Sequence, residues 1–141
     1  SFMKDGSSLL DIEADSGETL LDPAGENITV DGAITAQTRY NYGGELTIAT
    51  GAITVGNTDS YYRVDTQSDA AADDLDTING GVRGMVIVLQ SINNSRAVTV
   101  KDGTGNINLP ADFVLDETSD TITLMYASNN EWVQIASSNN Q

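Results

Sequence analysis

The sequence predicts an all-β protein of short antiparallel strands and hairpins, folded as a sandwich or a barrel-like domain. Three observations carry that reading. First, 12 Ser, 15 Thr and 12 Asn stand beside 13 Gly in 141 residues. Thr favours pleated surfaces, and Asn and Gly favour tight turns. Second, helix formers are scarce: Lys4 and Lys101 are the only lysines, and long Leu/Glu/Ala runs are missing. Third, the apolar residues come in short segments bounded by turn signals. At 39% hydrophobic residues the chain carries enough apolar matter for a packed core.

Residues 1–27 read as an acidic N-terminal arm. Leu9-Leu10 and Leu20-Leu21 are set among Asp11, Glu13, Asp15, Glu18 and Asp22, and Pro23 with Gly25 marks a turn. The arm is either solvated or docks its leucines on a partner chain. Met3 reads as the natural start, with Ser1 and Phe2 added ahead of it. No signal-peptide pattern is visible, and no stretch approaches the roughly 18 apolar residues that span a bilayer.

From residue 28 to 141 the pattern is that of an all-β domain. Ile28-Thr29-Val30 precedes the turn dipeptide Asp31-Gly32 and then Ala33-Ile34-Thr35. Leu46-Thr47-Ile48 leads through Thr50-Gly51 to Ala52-Ile53-Thr54-Val55. Gly-Ala-Ile-Thr thus occurs at 32–35 and again at 51–54. Two similar hairpins explain the echo, and so does one rung of a β-solenoid. Tyr61-Tyr62-Arg63-Val64 is a further strand, and residues 67–76 are an acidic loop or a single helical turn. After Asn79-Gly80-Gly81 comes the most apolar run, Met85-Val86-Ile87-Val88-Leu89. A continuous run of that length fits a strand buried on both faces at the centre of the core. Ala97-Val98-Thr99-Val100 ends at the turn cluster 101–106. Ile107 and Leu109 restart the alternation, and Phe113-Val114-Leu115 follows. Thr121 to Tyr126 and Trp132 to Ile135, joined by Ser128-Asn129-Asn130, form the clearest hairpin, with one face buried. Trp132 is expected to cap the core, its indole N–H directed to a partner at the rim.

Charge narrows the function. The formal net charge is −15, from 6 Lys and Arg against 21 Asp and Glu, with no His and no Cys. Residues 1–76 carry −12 of it. Disulfides, histidine–cysteine zinc sites, and serine–histidine or cysteine–histidine nucleophiles are therefore excluded. So acidic a chain repels phosphate, so nucleic acid is not an expected partner. Neither is membrane insertion.

Paired carboxylates are the acid–base chemistry that remains. The candidates are Asp73 with Asp74 or Asp76, and Asp116 with Glu117 or Asp120. A glycosidase needs two carboxyls in a rigid cleft, one with a raised pKa. Calcium is the ion such oxygens suit, and Asp69, Asp73, Asp74 and Asp76 are its densest candidates, without the spacing of an EF-hand. Lys101 to Asn106 has the look of a phosphate loop, but no helix pattern follows and Asp102 opposes an anion, so it reads as a β-turn. Tyr61, Tyr62, Tyr126 and Trp132, among Asn-rich turns, are candidates to stack on sugar rings. Each also occupies a strand position where core packing is the default.

From about Gly44 to Ile135 the order of pieces becomes familiar. It runs from Leu46–Val55, through Val64-Asp65-Thr66, Asp73–Gly81 and Gly84–Leu89, to Arg96–Val100 and Gly103–Ile107. It closes on Leu115, Asp120–Leu124 and Trp132. This order resembles a β-rich module of tailed-bacteriophage structural proteins: tail fibres, tail-tip proteins and other virion appendages. The resemblance covers about two-thirds of the chain and brings no catalytic residues with it. It implies a non-enzymatic virion part, homotrimeric and in contact with other virion proteins, assembled in the host cytoplasm. Such a part decorates the particle or meets a glycan or protein receptor on the host surface. A chain of this size with continuous apolar strands and no disulfides also gains stability by burying surface between copies.

Overall fold

The computed structural model describes residues 40–140. The arm expected over 1–27, the strands expected at 28–30 and 33–35, and the boundary at 28 lie outside the described residues. Within them the chain is all-β. Eleven strands are joined by turns and by one three-residue 3-10 turn, Gln67–Asp69.

The strands are β1 (Tyr42–Thr47), β2 (Ala52–Thr54), β3 (Tyr61–Asp65), β4 (Ala72–Leu75), β5 (Thr77–Asn79), β6 (Val86–Ser91), β7 (Ala97–Val100), β8 (Ile107–Asn108), β9 (Phe113–Leu115), β10 (Thr121–Tyr126) and β11 (Trp132–Ser138). They form a six-stranded sheet in the order β1-β3-β6-β10-β11-β8, a three-stranded sheet β4-β7-β9 and a pair β2-β5.

Strand direction departs from the hairpins expected of the sequence. β1 with β3, β3 with β6, β2 with β5, β4 with β7 and β11 with β8 all run parallel. Only β6 with β10, β10 with β11, and β7 with β9 run antiparallel. The parallel ladders share one geometry. Tyr61 lies opposite Val88, Ala72 opposite Ala97 and Ala52 opposite Thr77. Each pair is 25 to 27 residues apart, so the chain returns to each sheet one coil later and stacks on itself in a solenoid-like arrangement. Between β1 and β3 the return is shorter, with Tyr42 opposite Tyr61. At Tyr42 that offset of 19 residues equals the spacing of the Gly-Ala-Ile-Thr echo, and past the irregularity before Glu45 it falls to 18.

Turn chemistry explains why the coils form. Thr50-Gly51 makes the tight corner expected of it, with Ala49 and Ala52 bridged. β2 then leaves β1 and pairs with β5 instead of folding back as a hairpin partner. Residues 67–76 divide into the 3-10 turn and β4, so the acidic segment is half strand. The expected hairpin β10–β11 is present, with Tyr126 opposite Trp132.

The core lies between these stacked walls. Ile48, Ile53, Val64, Leu75, Ile78, Ile87, Leu89, Val98, Val100, Leu115, Ile122 and Leu124 are buried. A buried side chain of this size contributes roughly 1.5–3 kcal/mol through transfer from water. The Met85–Leu89 run is central, as expected, between β3 and β10. Its burial alternates, however: Ile87 and Leu89 are fully buried, while Val86 and Val88 are half-buried on the other face.

One seam of the stack is held by a side chain. Asn106 Oδ1 accepts from the Ile78 N–H at 2.9 Å, and its Nδ2 donates to the Ile78 carbonyl at 2.8 Å. The asparagine amide thus makes on β5 the pair of bonds that a neighbouring strand would make. Gly105 lets the chain come that close, because a Cβ there would run into the Asp76 carbonyl.

Candidate functional site

Of the four aromatics expected to meet sugars, two are core residues. Trp132 is fully buried, and its indole N–H donates to the Ile78 carbonyl at 3.0 Å. The partner expected at the rim is therefore a backbone oxygen inside the molecule. Tyr62 is 1% exposed, and its hydroxyl donates to the Gly56 carbonyl and accepts from the Gly56 N–H. Burial pushes the Tyr62 hydroxyl pKa up against the lowering effect of the Gly56 bond, and the nearby Asp59 carboxylate adds to the rise. Tyr126 is half-buried and packs on Trp132, ring centroids 5.0 Å apart. The cause is the strand register, which turns these rings inward with the alternation of β3, β10 and β11.

Tyr61 is the exception. It lies on the outer face of β3, hydrogen-bonded through its hydroxyl to Gln90 Oε1. Gln90 is held in turn by its own donation to the Thr118 carbonyl at 2.6 Å. On Tyr61 rests the ring of Tyr42, with centroids 5.4 Å apart and planes tilted by 39°. Tyr42 and Tyr40 are strongly exposed, at 56% and 60%. Together with Asn41 and Asp59 they line an open hollow of about 420 Å³.

The walls of this hollow are stitched together. The Asn41 carbonyl accepts from both Ser60 N–H and Tyr61 N–H at 3.0 Å. The Asn41 N–H donates to Ser60 Oγ at 3.1 Å, and its side-chain amide donates to the Thr58 carbonyl at 3.1 Å. The sequence carries a signal for this site that the strand reading passes over. Tyr40-Asn41-Tyr42 places two rings two residues apart, on one side of an extended chain.

The carboxylates do other work. Arg96 sits between two of them: its Nε lies 3.0 Å from the buried Asp65, at an angle outside hydrogen-bond geometry, and its guanidinium also meets Asp69. Asp73 accepts from the Gln67 N–H at 2.8 Å and from the Asp74 N–H at 2.9 Å. Asp76 accepts from the Thr104 hydroxyl at 2.6 Å. The proposed calcium ligands Asp69, Asp73, Asp74 and Asp76 therefore do not converge. Among the described residues no group of three acidic side chains is placed to hold a metal. Asp73 and Asp74 are neighbours on β4 and point to opposite faces, which is what a strand imposes.

The 101–106 segment behaves as the turn expected of it. Lys101 pairs with Asp112, and that hydrogen bond lifts the lysine pKa and lowers that of the aspartate. An exposed pair of this kind adds little stability. Asp102 accepts from the Leu109 N–H at 2.9 Å, closing the loop from within.

Of the expected acid pairs, Asp116 with Asp120 is the one that meets. Asp120 is fully buried and accepts from the backbone N–H groups of Asn140 at 2.7 Å, Glu117 at 3.0 Å and Asp116 at 3.3 Å. Burial alone would raise its pKa, but these bonds and one from the Asp116 side chain outweigh it and hold the carboxyl below its ordinary value of 3.8. A glycosidase general acid needs the opposite shift. Asp120 is instead a clasp that ties the segment after β11 to the turn before β10.

A lowered pKa in the folded state means that Asp120 stabilises the fold fully above the unfolded value. The contribution is lost as pH falls through the lower, folded one. Asp120→Asn is therefore expected to lower stability at pH 7 and to flatten its decline as pH falls below about 4. Urea melts across that range check it. An unchanged acid slope would show that Asp120 is not the group responsible.

No family model matches the chain, and no curated protein or solved structure matches it either.

Proposed function

We propose that the chain is a non-enzymatic structural part of a tailed-bacteriophage virion: a fibre, tail-tip or head-decoration module. It works as a homotrimer in contact with other virion proteins and offers surface turns for attachment to the host. The observation that carries this reading is the stack of parallel coils closed by the β10–β11 hairpin. Stacked coils are braced by ladder bonds along their length, which suits a part that must keep its shape while others bind to it. The order of strands and turns from Gly44 to Ile135 resembles that of phage appendage modules and adds to this. Two edge strands, β1 and β8, border the six-stranded sheet among the described residues. Edges of that kind invite pairing with another chain.

Sedimentation equilibrium of the full chain tests the assembly. A trimer gives about three times the 14.9 kDa of one chain. A stable monomer at micromolar concentration would overturn the trimeric scaffold.

A further inference from the structure

We propose that the hollow lined by Tyr40, Asn41, Tyr42 and Asp59 is a binding site for a neutral saccharide. The inference rests on the attachment half of the reading above and names the ligand class for it.

Four features point the same way. Tyr40 and Tyr42 are more than half exposed, although aromatic rings of that size are normally drawn inside. Their faces offer a negative quadrupole to the polarised C–H groups of a pyranose. The hollow, at about 420 Å³, falls in the range of small-ligand sites, about 300–1,000 Å³. Finally, it is built before any ligand arrives. Tyr42 rests on Tyr61, Tyr61 is fixed by Gln90, and the Asn41 and Ser60 segments are joined by hydrogen bonds. Preorganisation removes part of the ordering cost of binding.

Asp59 decides the class. Among the described residues it is the charged side chain that lines the hollow, half-buried, with one oxygen accepting weakly from the Thr58 hydroxyl at 3.4 Å. A carboxylate presents acceptors to sugar hydroxyls, and such charge-assisted bonds are the stronger kind. It also repels uronic and sialic acids, as does the net charge of −15. A quaternary cation is the rival guest for tyrosines beside a carboxylate. A titration with such a cation beside the sugars separates the two guests.

The test is a titration of the 15N-labelled full chain, followed through its backbone amides. The probes are neutral methyl hexosides, methyl glucuronide and tetramethylammonium. A neutral hexoside is expected to shift the amides of residues 40–44 and 58–61, with a dissociation constant on the order of 1 mM. Tyr40→Ala and Tyr42→Ala each weaken binding about tenfold, Asp59→Asn weakens it severalfold, and Tyr42→Phe leaves it nearly unchanged. Tyr40 and Tyr42 are exposed and Asp59 is only half-buried, so the folded spectrum elsewhere should persist.

Shifts with tetramethylammonium alone, equal binding of the glucuronide, or no response to any hexoside would each overturn the proposal. So would hexoside binding that survives both alanine variants. A trimer that binds no hexoside sinks this site and leaves the structural reading standing. A monomer that binds one does the reverse.

Discussion

Replacing Trp132 by Ala is expected to cost about 4 kcal/mol of stability, the largest loss of any single truncation among the described residues. Trp132 is the largest of the fully buried side chains. It stands at the start of β11 against Tyr126, and Gly81 comes close enough that a Cβ there would strike both rings. Removing the indole leaves a cavity that no flexible neighbour can fill. It also takes one of the two donors from the Ile78 carbonyl. Trp132→Phe separates the two effects. It keeps most of the ring volume, and the Ile78 oxygen still accepts from Asn106. Its cost should be about 1–2 kcal/mol. Urea unfolding followed by circular dichroism measures both. A loss below about 1 kcal/mol for the alanine variant would mean that the wall around Trp132 is not the core described here.

Gly80→Ala is expected to come next, at about 3 kcal/mol or more. Gly80 has φ +91°, a conformation that L side chains rarely adopt. A Cβ there would also fall well inside contact distance of the Val55 carbonyl oxygen. That carbonyl belongs to backbone and cannot rotate away. It lies beside the bond from the Val55 N–H to the Asn79 carbonyl, which continues the β2–β5 ladder at 2.9 Å. Strain and clash therefore act on one coil contact. Gly84→Ala is the matched control. It has φ +84° and nothing within 4 Å, so it carries the strain without the clash. Equal losses for the two variants in parallel urea melts would show that the close approach to Val55 contributes nothing.

The strands themselves were readable because their residues are locally decisive. Thr121 to Tyr126 alternates, Trp132 follows a polar turn, and Met85 to Leu89 is apolar without a break. Direction was harder to read. An antiparallel hairpin announces itself by a two-residue turn, whereas the parallel ladders here pair residues 18 to 27 apart with no local mark at the join. Thr50-Gly51 illustrates this: the corner is evident in the sequence, but not which strand Ala52 to Thr54 will meet. Tyr62 and Trp132 are buried and so unavailable to a sugar, for a related reason. Tyr62 and Tyr61 are adjacent and chemically identical, and only the inward face of β3 sends one to the core and leaves the other beside Tyr42. The acidic candidates failed because carboxylates close in sequence are not close in aim. Asp73 braces its own loop, Asp69 meets Arg96 and Asp76 meets Thr104.

The Asn106 amide has one more consequence. By presenting a counterfeit peptide group to Ile78, it splices β5 to the coil that follows, whose Asn106 carbonyl in turn accepts from the Trp132 N–H at 2.7 Å. One side chain therefore passes the register from one coil to the next. A variant such as Asn106→Val, which keeps the bulk and removes the mimicry, would leave the N–H of the buried Ile78 without its partner. The Ile78 carbonyl would keep the Trp132 indole as its donor, so the damage falls on one amide at one seam between coils.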